Sequence, residues 1–125
     1  MKQNNKSELI ELLTEFKGLG VVKGGELCLP PDIALKFLDR LETIGIGVLG
    51  LDGWYSSPGG GVAQDLNTDI SVPKDILSDS NNVVISIGMV RNYILNQLDK
   101  DVDFVSLTLN IKFLWKDLFP TGSSS

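Results

Sequence analysis

The stretch Gly45–Tyr55 reads Gly-Ile-Gly-Val-Leu-Gly-Leu-Asp-Gly-Trp-Tyr, and its reading decides the fold. It follows directly on the strongest helical pattern in the chain. It is apolar and glycine-studded, and it ends in a carboxylate beside two aromatics. Ile46, Val48, Leu49 and Leu51 predict a buried strand. Gly47 and Gly50 leave room where a helix or a second backbone comes close. Asp52, Gly53, Trp54 and Tyr55 are expected to surface where that strand leaves the sheet.

Upstream lies the helix that feeds it. Pro31 and Asp32 open it, with proline tolerated in the first turn and the carboxylate on the positive end of the helix dipole. Ile33, Ala34, Phe37, Leu38, Leu41 and Ile44 form one wide apolar face. Lys36, Asp39, Arg40 and Glu42 fall mostly off it, as a solvated face does. Gly45 is the expected left-handed stop. Further upstream, Ser7 is the expected cap of a first helix, with Glu8 and Glu11 in its first turn. Leu9, Leu12, Leu13 and Phe16 give its apolar stripe, and Gly18 and Gly20 end it. Val21–Leu29 reads as irregular, with a turn at Gly24-Gly25 and a short extended piece at Glu26–Leu29.

Downstream, Phe104–Trp115 alternates most clearly. Val105, Leu107, Leu109, Ile111, Phe113 and Trp115 share one face, and Ser106, Thr108, Asn110 and Lys112 share the other. Such alternation belongs to a sheet with one packed face and one partly wet face. Between these strands, Ser56–Asp69 reads as the loosest part of the chain, with Asp69–Val72 as a brief strand. Pro73–Leu77 reads as one helical turn and Ser78–Asn82 as turn chemistry. Val83–Leu98 carries two patterns, and the expectation is a helix from about Ile85 to Leu98 with Val83-Val84 extended.

These elements predict an α+β two-layer domain. Its mostly antiparallel or mixed sheet has three to five strands, and about three helices lie largely on one face. No repeat or second core marks a boundary, so residues 1–125 form a single domain, with 1–6 and 121–125 as loose tails.

Composition excludes several chemistries. The chain has 125 residues, one cysteine and no histidine. An internal disulfide is excluded, a structural zinc site lacks its ligands, and a triad or cysteine protease lacks its imidazole. Cys28 has no basic neighbour in sequence to activate it, so it reads as packed core. The glycine run at 59–61 lacks the Lys-Ser/Thr of a phosphate loop. The net charge of −5 disfavours a nucleic-acid backbone and suits a basic protein partner. No signal peptide and no membrane-length apolar run is seen, so a cytoplasmic location is expected. No cofactor is called for, and oligomeric state is not legible.

Asp52 is the best single carboxylate for chemistry, because it sits beside Gly53, Trp54 and Tyr55. No second carboxylate can be placed at a fixed distance from it, so no catalytic pair and no metal site are assigned. Exposed aromatics beside acids suit a protein interface equally well. The candidate partner-binding residues are Asp52, Trp54 and Tyr55, joined by Asp65 and Asp69.

The order of a helix over Ala34–Leu41, then Gly45, then Val48-Leu49-Gly50-Leu51-Asp52-Gly53-Trp54-Tyr55 resembles a family of small bacterial immunity proteins from polymorphic toxin systems. Its signature is a helix followed by an Ile-Leu-Gly-Gly-Asp-Val-Tyr-like strand. The segment Ser86–Ile94, with Tyr93-Ile94, resembles that family's downstream helix. Here Leu51 stands in place of the second glycine, and one extra residue separates Asp52 from Tyr55. The resemblance implies a non-enzymatic inhibitor that binds and neutralises a cognate toxin domain, and the acidic charge fits a basic toxin. Two alternatives stay open: a small metal-dependent hydrolase or nucleotide-handling enzyme using Asp52, and an accessory or scaffold subunit.

Overall fold

The computed structural model describes residues 5–23, 26–56, 59, 62–72 and 82–110. Side chains are described for these except at 5, 6, 64–69 and 82. In chain order the elements are α1 (Asn5–Lys17), β1 (Val21–Lys23), β2 (Glu26–Leu29), α2 (Pro31–Ile44), β3 (Val48–Ser56), β4 (Val62–Ser71), α3 (Asn82–Asn96) and β5 (Phe104–Leu109). The fold is α+β. Among the described residues, five strands form one sheet in the order β1-β2-β5-β3-β4, and every pairing is antiparallel.

The three helices share one face of that sheet. Leu9, Leu12, Leu13 and Phe16 of α1, Ala34, Phe37, Leu38 and Leu41 of α2, and Ile87, Val90 and Ile94 of α3 are buried in one cluster. Leu27, Leu29, Val48, Leu51, Val105, Leu107 and Leu109 meet them from the strands. α2 lies in the middle and touches both other helices. Phe16 and Phe37 meet edge to face at 5.1 Å between ring centres, locking α1 onto α2. Burying side chains of this kind contributes about 1.5–3 kcal/mol each relative to exposure.

Polar contacts set the edges of this packing. Arg40 on α2 forms a two-pronged pair with Glu15 on α1, at 2.7 and 3.0 Å. Arg91 on α3 reaches Asp39 and Glu42 on α2, at 2.7 and 3.3 Å. The Arg40 guanidinium holds the Glu15 carboxyl below the usual carboxylate range, and Glu15 raises Arg40 in turn.

α2 ends as its sequence predicts. Gly45 has φ 79°, in the left-handed region. Its N–H donates to Glu42 O and the Ile46 N–H donates to Leu41 O, the paired bonds of a Schellman stop. Ile46 and Leu41 are both buried, so the stop is also an apolar clasp. The chain therefore turns into β3 through only three residues, Gly45, Ile46 and Gly47. Gly50 meets its expectation too. A Cβ there would lie 2.5 Å from Ile70 O on β4, so the strands pair there only because the side chain is absent.

Several expectations are corrected. Ser7 lies inside α1, which begins at Asn5, so residues 5 and 6 are helix rather than loose tail. Val21–Leu29 is not irregular; it supplies two paired strands. β3 does not end at Leu51 but runs on to Ser56. Most of Ser56–Asp69 is not loose: from Val62 onward it is the long strand β4, paired to β3. Glycines and acids made this stretch read as a loop, but a hairpin partner overrides local propensity. Val83 and Val84 are helical, because Ile87, Val90 and Ile94 give α3 a face to bury. α3 stops at Asn96, short of Leu98. The turn at Gly24-Gly25, the turn of helix at Pro73–Leu77, Ser78–Asn81, the tail 121–125 and the part of the last strand beyond Asn110 lie outside the described residues. Among the described residues, no helix is long and apolar enough to cross a membrane.

Candidate partner-binding surface

β3 is the central strand of the region, with β5 on one side and β4 on the other. Its alternation sorts the sequence-predicted residues onto two faces. Leu51, Gly53 and Tyr55 point toward the helices, and Tyr55 packs half-buried against the main core. Asp52 and Trp54 belong to the opposite face. Asp52 stands across from Ser106 on β5, and Trp54 across from Phe104.

Trp54 is not an exposed anchor. It is 8% exposed and packs in a second, smaller cluster with Cys28, Val62 and Phe104. Because β3 continues past it, its indole stays within the sheet. Its Nε1–H donates to Ser106 Oγ at 2.9 Å, and the Ser106 hydroxyl donates to Glu26 Oε1 at 3.0 Å. Ser106 is 2% exposed. A buried indole N–H needs a partner, and this relay passes the demand across β5 to a carboxylate on β2. Asp103 finishes the end of β3. Its Oδ2 accepts from Ser56 N at 2.8 Å, and its own N–H donates to Trp54 O at 3.0 Å.

Cys28 lies under this layer, fully buried. Burial above all, then the neighbouring Glu26 charge, pushes its thiol up to about 11, with Lys23 opposing. It stays protonated at neutral pH and is a packing residue, as the sequence suggested.

The β3–β4 ribbon brings the predicted acids together by backbone register. Asp69 pairs directly with Asp52, and Asp65 pairs with Gly53. Between them Leu66, Asn67 and Thr68 have no counterpart on β3, so β4 bulges there. Asp52, Asp65 and Asp69 thus fall within two adjacent rungs of one ribbon. Asp52 itself is half-buried. The five predicted residues share a ribbon but not a face, since Trp54 and Tyr55 are built into opposite clusters.

Three residues of this region were missed from sequence: Ser106, Glu26 and Asp103. The signal for Ser106 was its place on the polar side of an alternating strand, and nothing local marked the other two. Ser86 is a further case. It is fully buried on α3, its Oγ accepts from Val48 N at 3.1 Å, and its hydroxyl faces Val83 O at 3.3 Å. The β3–β5 ladder shifts register between Val48 and Gly50, and Ser86 serves the amide at that break. The serine of the downstream helix is therefore a pin for β3.

On the helix side, a groove of about 320 Å³ runs between β4 and α3, lined by Ile70, Ser71, Val72, Met89, Asn92, Tyr93 and Gln97. Among the described residues, no three His, Cys, Asp or Glu side chains gather as a metal site would require. No protein-family model, curated protein or solved structure matches this chain.

Proposed function

We propose that this protein is a cytoplasmic, non-enzymatic immunity-type protein that binds and neutralises a cognate bacterial toxin domain with a basic surface. One observation carries the reading: the β3–β4 ribbon sets Asp69 directly across from Asp52, with Asp65 one rung away. Carboxylate-bearing positions gathered by register suit a basic partner, whose opposite potential speeds encounter. The net charge of −5 acts in the same direction over longer range. The resemblance of Ala34–Tyr55 to immunity proteins supplies the class of partner. Tyr55, half-buried, contributes at the margin, and Trp54 supports the surface from beneath.

The test is co-expression with the product of the gene immediately upstream, read as growth and as co-purification. The expected outcome is a neighbour that is toxic alone, harmless with this protein, and pulled down by it. Asp65→Lys with Asp69→Lys should then slow association at low salt by roughly an order of magnitude. A harmless neighbour that does not co-purify would sink the reading. The same Asp52–Asp69 register also favours a second one, in which Asp52 holds a divalent metal for hydrolysis. It predicts that magnesium or manganese raises the melting temperature and that Asp52→Asn removes the rise.

A further inference from the structure

One rung runs across the sheet from β2 to β4. Cys28 pairs with Ser106, Ser106 with Asp52, and Asp52 with Asp69. Ser106 therefore stands between two carboxylates. Glu26 is joined to it by a hydrogen bond, and Asp52 lies across from it by register. Residues opposite one another on a sheet face have Cβ atoms about 4.5–5.5 Å apart, within reach of a hydroxyl and a carboxylate.

A serine hydroxyl has one proton to give, and here its neighbours settle where that proton goes. An indole N–H only donates, so Ser106 Oγ accepts from Trp54 at 2.9 Å. A carboxylate only accepts, so the Ser106 proton goes to Glu26 at 3.0 Å. Ser106 is 2% exposed, so bulk water is no ready substitute for either partner. Committed to β2, this proton is not given to Asp52. A donor on β5 would hold the Asp52 carboxylate toward β5 and away from Asp69 on β4. Whatever else Asp52 contacts, Glu26 decides whether this donor is added to it.

We infer that Glu26 is a positioning residue for the acidic surface: by holding the Ser106 proton it keeps the Asp52 carboxylate from being drawn to β5, so that Asp52 acts together with Asp69 on a basic partner. Glu26 does this through Ser106. The role for a partner rests on the function proposed above, while the destination of the Ser106 proton does not.

The experiment has two arms. The first is the crystal structures of Glu26→Ala and Glu26→Gln in the full chain. In Glu26→Ala the Ser106 hydroxyl is expected within hydrogen-bond distance of an Asp52 carboxylate oxygen. In Glu26→Gln the amide oxygen still accepts, so the hydroxyl stays on position 26. A Ser106 hydroxyl that does not reach Asp52 in Glu26→Ala overturns the inference, whatever the partner proves to be. The second arm measures dissociation from the product of the gene immediately upstream. Lost charge at a rim acts mainly on association, so the dissociation rate isolates the contact itself. Glu26→Ala should speed dissociation by about fivefold, the fold-change of one weakened hydrogen bond, and Glu26→Gln should restore most of it. Glu26→Ala with Ser106→Ala should also restore it, because no proton is left to draw Asp52 aside. A purely structural relay predicts the reverse, since this double variant also strands the Trp54 indole. A double variant that dissociates as fast as Glu26→Ala, or faster, therefore overturns the inference. So does a Glu26→Ala variant that dissociates like the parent. A parent chain that does not bind the upstream product overturns the functional reading and the role for a partner with it, and the first arm still decides where the Ser106 proton goes.

Discussion

The two faces of β3 are built on opposite principles. Toward the helices, Val48 and Leu51 enter a predominantly aliphatic core, where the buried Ser86 Oγ accepts from the Val48 N–H. Away from them, Trp54 is held by a polar relay to Ser106 and Glu26 over a small cluster. The first face draws its stability from area and fit. The second draws it from satisfied donors, and it is costly when one partner is removed. A period of two sorts Leu51–Tyr55 between the faces, and the register shift between Val48 and Gly50 lets Val48 share the side of Leu51.

The largest expected effect breaks the helix face. Leu51 is 1% exposed and lies under the helix layer. Leu51→Ala should destabilise the fold by about 2–5 kcal/mol, measured by denaturant unfolding, because a cavity opens in a packed core. A loss below about 1 kcal/mol, the level of a surface change, would mean that the helices do not seat on this strand. Next comes the relay. Ser106→Ala strands the Trp54 Nε1–H and removes the donor to Glu26, so a loss of about 1–3 kcal/mol is expected. The fluorescence of the chain should report the same change, since an indole senses its hydrogen-bonding surroundings. A Ser106→Ala variant as stable as the parent would show that the indole finds another acceptor and that the two faces differ less than their hydrogen bonds suggest.

How far sequence reached follows the same division. The helix face was legible at α1, α2 and β5, where the apolar period agrees with the final contacts, although the expected Ser7 cap lies inside α1. Gly45 and Gly50 were legible because a left-handed stop and a close backbone approach each need glycine. β4 was not legible. Its sequence is acidic and follows a glycine run, and it becomes a strand only through pairing with β3, a non-local fact. Trp54 was misplaced for a related reason. Whether a strand stops at an Asp-Gly step or runs through it depends on neighbours on both sides, and β3 has β5 and β4. Of the candidate surface, the acids come from two adjacent strands, and register sets Asp69 across from Asp52 and Asp65 across from Gly53. The aromatics do not share a face, because alternation sends Trp54 and Tyr55 to opposite sides.

The smallest expected effect concerns the outer rim of the helix layer. Glu15 and Arg40 are close and two-pronged, yet each side chain is about half exposed. Water and salt screen such pairs, so Arg40→Met should change stability little near neutral pH. The pH dependence has a definite sign. The Glu15 carboxyl is held below its ordinary value in the folded chain, so the pair stabilises above the unfolded carboxylate range and is lost as pH falls through the lowered folded value. In Arg40→Met that acid-side decline should shrink, while stability near neutral pH changes little. The measurement is urea unfolding of both proteins from neutral to acid pH. An unchanged acid limb would place the acid sensitivity elsewhere among the carboxylates. A much larger neutral-pH loss would show that the α1–α2 contact depends on this pair more than on the Phe16–Phe37 packing beneath it.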